Sequence, residues 1–175
     1  MSLHIVLFEP EIPQNTGNIA RTCAVVGAEL DLVHPLGFSL DEKHLRRAGL
    51  DYWSQLKITE WENIDAFMQA HGNESQLFLY TTKAPKAHTE VSYTNKGDTY
   101  LVFGKESAGI PEEVLVAHKK SCVRIPMKPT LRSLNLSNSV AIAAYEYLRQ
   151  IDFEGLEEEG QLHHSHWNDE GKEGE

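Results

Sequence analysis

Five short apolar runs punctuate the chain, at Leu3–Phe8, Glu29–Val33, Gln76–Thr81, Thr99–Phe103 and Cys122–Ile125. Their polarity is low overall, although Glu29 and Asp31 alternate with leucines in the second, and this suggests strands buried on both faces of a parallel sheet. Stretches with helical spacing stand between them. Over Asn15–Val26, Ile19, Cys23 and Val26 form one stripe, Gly27 supplies a stop, and Asn15 or Thr16 is the expected cap. Asp41–Ala48 opens on a capping Asp, and Trp61–Ala70 carries Ile64, Phe67 and Met68. Pro111–His118 begins with Pro at the first helical position. Leu136–Ile151 aligns Val140, Ala144, Tyr147, Leu148 and Ile151. Strand and helix alternate, so the expected class is α/β, a mostly parallel sheet flanked by helices. No internal repeat or linker interrupts residues 1–151, which read as a single domain.

Ligands of open parallel sheets bind beyond the carboxyl ends of the strands. Three polar loops follow strands here, at 9–17, 104–111 and 127–138, and share one edge if all strands run the same way. In the first, Asn15 and Asn18 stand near a helix start with Arg21 on the second turn, an arrangement that suits a phosphate. In the second, Lys105 follows Gly104, but the rest of a P-loop is missing and no Gly-x-Gly-x-x-Gly occurs in the chain. Glu106 instead stands between glycines. In the third, Arg132–Asn138, Leu134 and Leu136 alternate with Ser133, Asn135 and Ser137. Extended backbone sends these two sets to opposite faces, so the leucines can anchor the loop while the polar row grips a small ligand. The same polar residues suit a helix cap, with Ser137 or Asn138 capping while Ser133 and Asn135 face the ligand.

Charge changes the picture only once it is divided. The net charge is −10, yet nine of the 26 acids and one of the 16 Lys and Arg residues lie after Ile151. Residues 152–175 therefore read as an acidic, solvated tail, His163, His164 and His166 included, and no metal site is expected there. The remainder is close to neutral and compatible with an anionic partner. No stretch approaches the ~20 apolar residues of a membrane span. The N-terminal segment lacks a basic flank, so a cytoplasmic location is expected. Cys23 and Cys122 lie in apolar periodic segments and read as buried thiols of a reducing compartment.

Four segments carry a resemblance. They are Asn-Thr-Gly-Asn-Ile-Ala-Arg (15–21), Leu-Arg-Arg-Ala-Gly-Leu-Asp-Tyr (45–52), Phe-Gly-Lys-Glu-Ser-Ala-Gly-Ile-Pro (103–111), and Ile-Pro-Met followed by Arg-Ser-Leu-Asn-Leu-Ser-Asn. In that order they resemble the motifs of the SPOUT superfamily of RNA methyltransferases, in its 2′-O-ribose (SpoU/TrmH-like) branch. The resemblance runs over about residues 3–151 and departs in the acidic tail. It implies a C-terminal trefoil knot, where the general avoidance of knots points to an unknotted sheet. It also implies a homodimer and S-adenosyl-L-methionine as methyl donor, with S-adenosyl-L-homocysteine as product and no metal. The implied cofactor-binding positions are Tyr80, Gly104, Ile125 and Ser133, and the implied catalytic set is Arg21, Asn15, Glu106 and Asn135. The implied reaction is methylation of the ribose 2′-hydroxyl of the wobble nucleotide, cytidine or modified uridine at position 34 of tRNA. Another RNA substrate such as rRNA, or a silent RNA-binding module, stays open as the alternative.

Overall fold

All six residues of strand β1 (Leu3–Phe8) are buried, because a neighbour lies on each side of it and helices cover both its faces. The computed structural model describes residues 2–40, 53, 56–74, 76–94 and 97–165. β1 pairs in parallel with β2 (Glu29–Val33) and β5 (Thr99–Phe103), so that Ile5 stands between Leu30 and Leu101. β3 (Ile58–Trp61) adds outside β2. On the other side β4 (Leu77–Tyr80) adds to β5, and β6 (Cys122–Val123) to β4. The six described strands run in the order β3-β2-β1-β5-β4-β6, all parallel. The expected α/β class with a parallel sheet is present.

Strand alternation divides the core in two. Leu3, Ile5 and Leu7 face helices α1 (Pro13–Val26) and α4 (Leu136–Gln150), meeting Ile19 and Cys23 of the first and Val140, Ala144 and Leu148 of the second. Val6, Phe8 and Val102 face the opposite way, toward Phe67 of α2 (Ile64–His71) and Leu115 of α3 (Glu112–Ala117). Asp31 is also buried on this side. Its two oxygens lie 2.8 Å from His4 Nδ1 and accept from Trp61 Nε1 at 2.8 Å, the pairing a buried carboxylate requires.

Several boundaries differ from expectation, each for a local reason. α1 starts at Pro13 with Ile12 as its cap residue, so Asn15 and Thr16 lie buried in the first turn and do not cap it. Its end at Gly27 is as expected, at φ 70° in the left-handed region. Trp61 ends strand β3 instead of opening a helix; α2 begins at Ile64, where Asn63 Oδ1 accepts from Ala66 N at 2.8 Å. β3 lacks a continuous apolar run because it is a half-exposed edge strand. α4 is capped by Asn135, not by Ser137 or Asn138. Leu134 is 38 % exposed, so only Leu136 of the two leucines pegs its loop into the core. The expected helix Asp41–Ala48, the motif at 45–52 and His166 lie outside the described residues. Beyond Ile151, Phe153 and Leu156 still pack on the core, and Phe153 N donates to Leu148 O at 2.9 Å.

The chain between β4 and β5 is tied to α4 by side chains. Gln150 accepts from Tyr93 N at 3.0 Å and donates to Val91 O at 3.1 Å and to Glu146 Oε1 at 2.7 Å. Arg149 donates to both oxygens of Glu146 at 2.9 Å. The Arg149 guanidinium chiefly, and Gln150 after it, hold the Glu146 carboxyl down at about 2. A carboxyl held lower in the folded than in the unfolded chain stabilises fully above the unfolded value and ceases to as pH falls through the folded one. The urea midpoint of the wild type should therefore drop more steeply than that of Glu146→Gln between about pH 5 and pH 2. Equal slopes would remove Glu146 from the acid response.

Candidate active site

The three loops that follow β1, β5 and β6 meet through one chain of polar contacts. Helix α1 has no side-chain cap, and Glu106, from the loop after β5, instead holds the residues that lead into it. Its carboxylate accepts from Glu11 N at 2.8 Å, from Ile12 N at 3.2 Å and from Asn15 Nδ2 at 3.1 Å. A carboxylate at a helix N-terminus also answers the positive end of the helix dipole. Asn15 Oδ1 in turn accepts from Asn135 Nδ2 at 3.0 Å. Asn135 Oδ1 accepts from Ser137 N, Ser137 Oγ and Asn138 N at 2.9, 2.7 and 3.3 Å, which caps α4. One carboxylate and two amides thus join the starts of both helices on this face. The chain also has a polarity, since an acceptor-only carboxylate closes one end and backbone donors close the other.

Further contacts fasten the second loop to the first. Lys105 Nζ lies 2.6 Å from Glu9 Oε2, and Glu9 itself sits in the left-handed region at φ 48°. Ser107 donates to the Glu11 carboxylate through Oγ at 2.8 Å and through its backbone N at 2.9 Å. The hydroxyl first, then the backbone donor, hold the Glu11 carboxyl below the usual carboxylate range, and Glu9 raises Lys105. Gly104 makes the turn possible, because a Cβ there would overlap the backbone of Gly109 and Ile110. Sequence reasoning missed this clasp. Its signal was available in the alternation of Glu9 and Glu11 opposite Lys105 and Ser107.

A cavity of about 610 Å³ opens between these loops at the carboxyl ends of β4 and β5. Of the residues singled out from sequence, it is lined by Asn15, Tyr80, Gly104, Glu106, Ile125, Ser133 and Asn135. Arg21 is not among them; it lies on the exposed face of α1. The Tyr80 side chain is committed elsewhere, its hydroxyl 2.6 Å from Tyr93 Oη and its ring stacked on Phe103 at 4.8 Å. Burial pushes that hydroxyl far above the ordinary range, so it is no proton donor or acceptor for chemistry in the cavity. Ile125, Met127 and Leu134 supply apolar wall, while Ser133 and Thr81 add polar groups. Such a mixture suits a drug-sized ligand with a flat apolar part and a polar rim. Among the described residues no three His, Cys, Asp or Glu side chains gather to hold a metal ion.

The profile of the SpoU rRNA methylase family matches residues 2–145. The chain belongs to that family. It is 49 % identical over 154 residues to the tRNA (cytidine(34)-2′-O)-methyltransferase of Escherichia coli strain K12, covering 87 % of this chain and 96 % of that protein. A Bacillus anthracis crystal structure, assigned provisionally to the RNA methyltransferases, superposes with a TM-score of 0.81 at 50 % identity, over 89 % of this chain and 98 % of that one. A structure concerned with 2-OH methylation of C/U34 on tRNA superposes at 0.79 with 42 % identity, over 87 % and 97 %. The cavity therefore lies within the part of the chain that the SpoU profile covers.

The polarity of the Glu106–Asn15–Asn135 chain makes a definite demand. Glu106→Gln replaces one of the two accepting oxygens by an amide donor, which then faces either Glu11 N or the pair Ile12 N and Asn15 Nδ2. In the second case, flipping Asn15 only moves the conflict to Asn135. The substitution should cost about 1–3 kcal/mol in urea unfolding, the range for an unsatisfied buried polar group. An unchanged midpoint would show that the network does not hold the loops together.

Proposed function

We propose that this protein transfers a methyl group from S-adenosyl-L-methionine to the ribose 2′-hydroxyl of nucleotide 34 of tRNA. The observation that carries the reading is the cavity, formed where the three motif loops meet and walled by Ile125, Leu134 and Ser133. Close similarity to a tRNA (cytidine(34)-2′-O)-methyltransferase supports the substrate. The cofactor supplies a methyl group activated on sulfonium and leaves as S-adenosyl-L-homocysteine. Gly104 and Ile125 at strand ends, with Ser133 in the loop, are suited to hold it, and Tyr80 fits a backbone role because its side chain is spent in the core.

The chain's own work is to align the ribose oxygen so that its bond to the methyl carbon forms as the carbon–sulfur bond breaks, with the hydroxyl proton passing to solvent or to the adjacent RNA phosphate. Arg21 is an awkward base, since a guanidinium stays protonated. Its role is to position the phosphate and ribose and to stabilise the oxygen as the proton departs. Asn15, Glu106 and Asn135 act one step back, holding the loops that line the cavity.

Arg21 lies on an exposed face of α1 that also carries Asn18 and Val25, the last 56 % exposed. Helix α4 packs against α1 and exposes Ile142 and Tyr145. Apolar side chains on two adjacent helices favour burial against a second copy. The proposal therefore includes a homodimer docked through α1 and α4, with each site completed by residues of both subunits. The trefoil knot and a cytoplasmic setting belong to the same proposal. The first is supported by family membership, the second by the free, buried thiols of Cys23 and Cys122.

Incubation with labelled S-adenosyl-L-methionine and bulk tRNA should place label on the 2′-oxygen of nucleotide 34. Label elsewhere, or in rRNA alone, would replace the substrate. Arg21→Ala should abolish transfer while calorimetry still detects cofactor binding, and unchanged turnover would remove Arg21 from the reaction. The pair Val25→Glu and Ile142→Glu should yield a monomer in sedimentation that has lost transfer. A variant that stays dimeric would rule out this face.

A further inference from the structure

The basic residues among those described sort into two groups once their partners are known. Lys105 is paired with Glu9 and Lys83 with Glu112, while Lys86 donates to the carbonyl of Lys120. Arg124, Lys128 and Arg132 form no ion pair with a carboxylate among the described residues. These three line a second depression, of about 500 Å³, on the outer side of the loop that follows β6. Met127, Pro129 and Leu131, the last 64 % exposed, add apolar side chains to its lining. The depression shares Thr82, Met127 and Arg132 with the cavity assigned to the cofactor.

We propose that this depression is a second RNA subsite, which takes a phosphodiester and base of the strand next to the methylated nucleotide. The inference rests on the tRNA reading above. Three cations without a carboxylate partner among the described residues mark a place where an anion is wanted. An exposed leucine, a proline and a methionine around them offer a flat apolar surface on which a splayed base can lie, as single-stranded RNA is usually read. The position is also firm. Arg124 N donates to Lys86 O at 3.0 Å and His88 N donates to Arg124 O at 2.8 Å, and a turn from Lys128 O to Leu131 N closes the loop at 3.1 Å. A strand seated there passes directly beside the cofactor cavity, because one loop forms a wall of both.

The test uses the full chain with the double substitution Arg124→Gln and Lys128→Gln. Arg132 is left intact because it lines both cavities. Lys119→Gln with Lys120→Gln serves as a control that removes the same charge elsewhere. The subsite predicts an unchanged dissociation constant for S-adenosyl-L-methionine and an unchanged kcat. It predicts a KM for tRNA raised about tenfold or more, and a log–log salt dependence shallower by about 1–1.5, the value for two single-strand phosphate contacts. The control should change neither. Weakened cofactor binding in the double variant would assign the depression to the cofactor instead. A wild-type KM and salt slope in that variant would overturn the inference, even if the wild type methylates tRNA. Failure of the wild type to methylate tRNA would instead overturn the reading on which the inference rests.

Discussion

Three hydrogen-bonding side chains, Glu106, Asn15 and Asn135, set the relative positions of the loops that follow β1, β5 and β6 at the carboxyl edge of the sheet. Helix α1 begins without a side-chain cap, and its Asn15 side chain is held by Glu106 from a loop 91 residues further along. Asn135 spends its oxygen on the start of α4 and its amide on Asn15. Neither helix start can therefore move without unpairing a donor of the other. The cost of an unpaired buried donor exceeds the net value of a typical hydrogen bond, which is why such a chain fixes geometry more than it adds stability.

That constraint suits a cavity that must hold a small ligand steady while a large one comes and goes. The walls are made by a loop whose two ends are both tied. Leu136 is packed into the core at one end, and β6 lies in the sheet at the other. The clasp between Glu9, Glu11, Lys105 and Ser107 does the same for the second loop. The protein thus prepares its cavity in the folded chain rather than on encounter with the ligand, and affinity need not be spent on ordering.

Much of the fold was legible, because buried parallel strands are rich in apolar residues and β1, β4 and β5 carry such runs, while β2 keeps enough of one despite Glu29 and Asp31. β3 was not, since an edge strand with Glu60 exposed carries no such run. The candidate site was legible as a set of residues but not as wiring. Asn15 looked like the cap of its own helix, and Ser137 or Asn138 like the cap of theirs. Capping preferences are local rules, and they describe a helix start accurately only when the cap comes from its own neighbourhood. Here α1 has no side-chain cap at all, Asn15 being bonded to Glu106 and Asn135, and the residue that caps α4 is one that sequence reasoning had given to the ligand.

The apolar and charged surfaces left over divide along the same lines. The face formed by α2 and α3 covers Phe67, Phe8 and Tyr100 and encloses Asp31 with its two partners, and it too leaves an apolar side chain, Val116, in the open. The face formed by α1 and α4 keeps Val25, Ile142 and Tyr145 in the open. A sheet of this kind needs both faces covered to be stable, and one layer of helices is enough for that. Apolar side chains that remain outside the layer contribute nothing to folding the single chain. Their position on the two helices whose starts are locked by Asn15 and Asn135 means that whatever covers them bears directly on the cavity. Packing on that face and order at the site are thereby one property, carried by the rigid bodies of two helices.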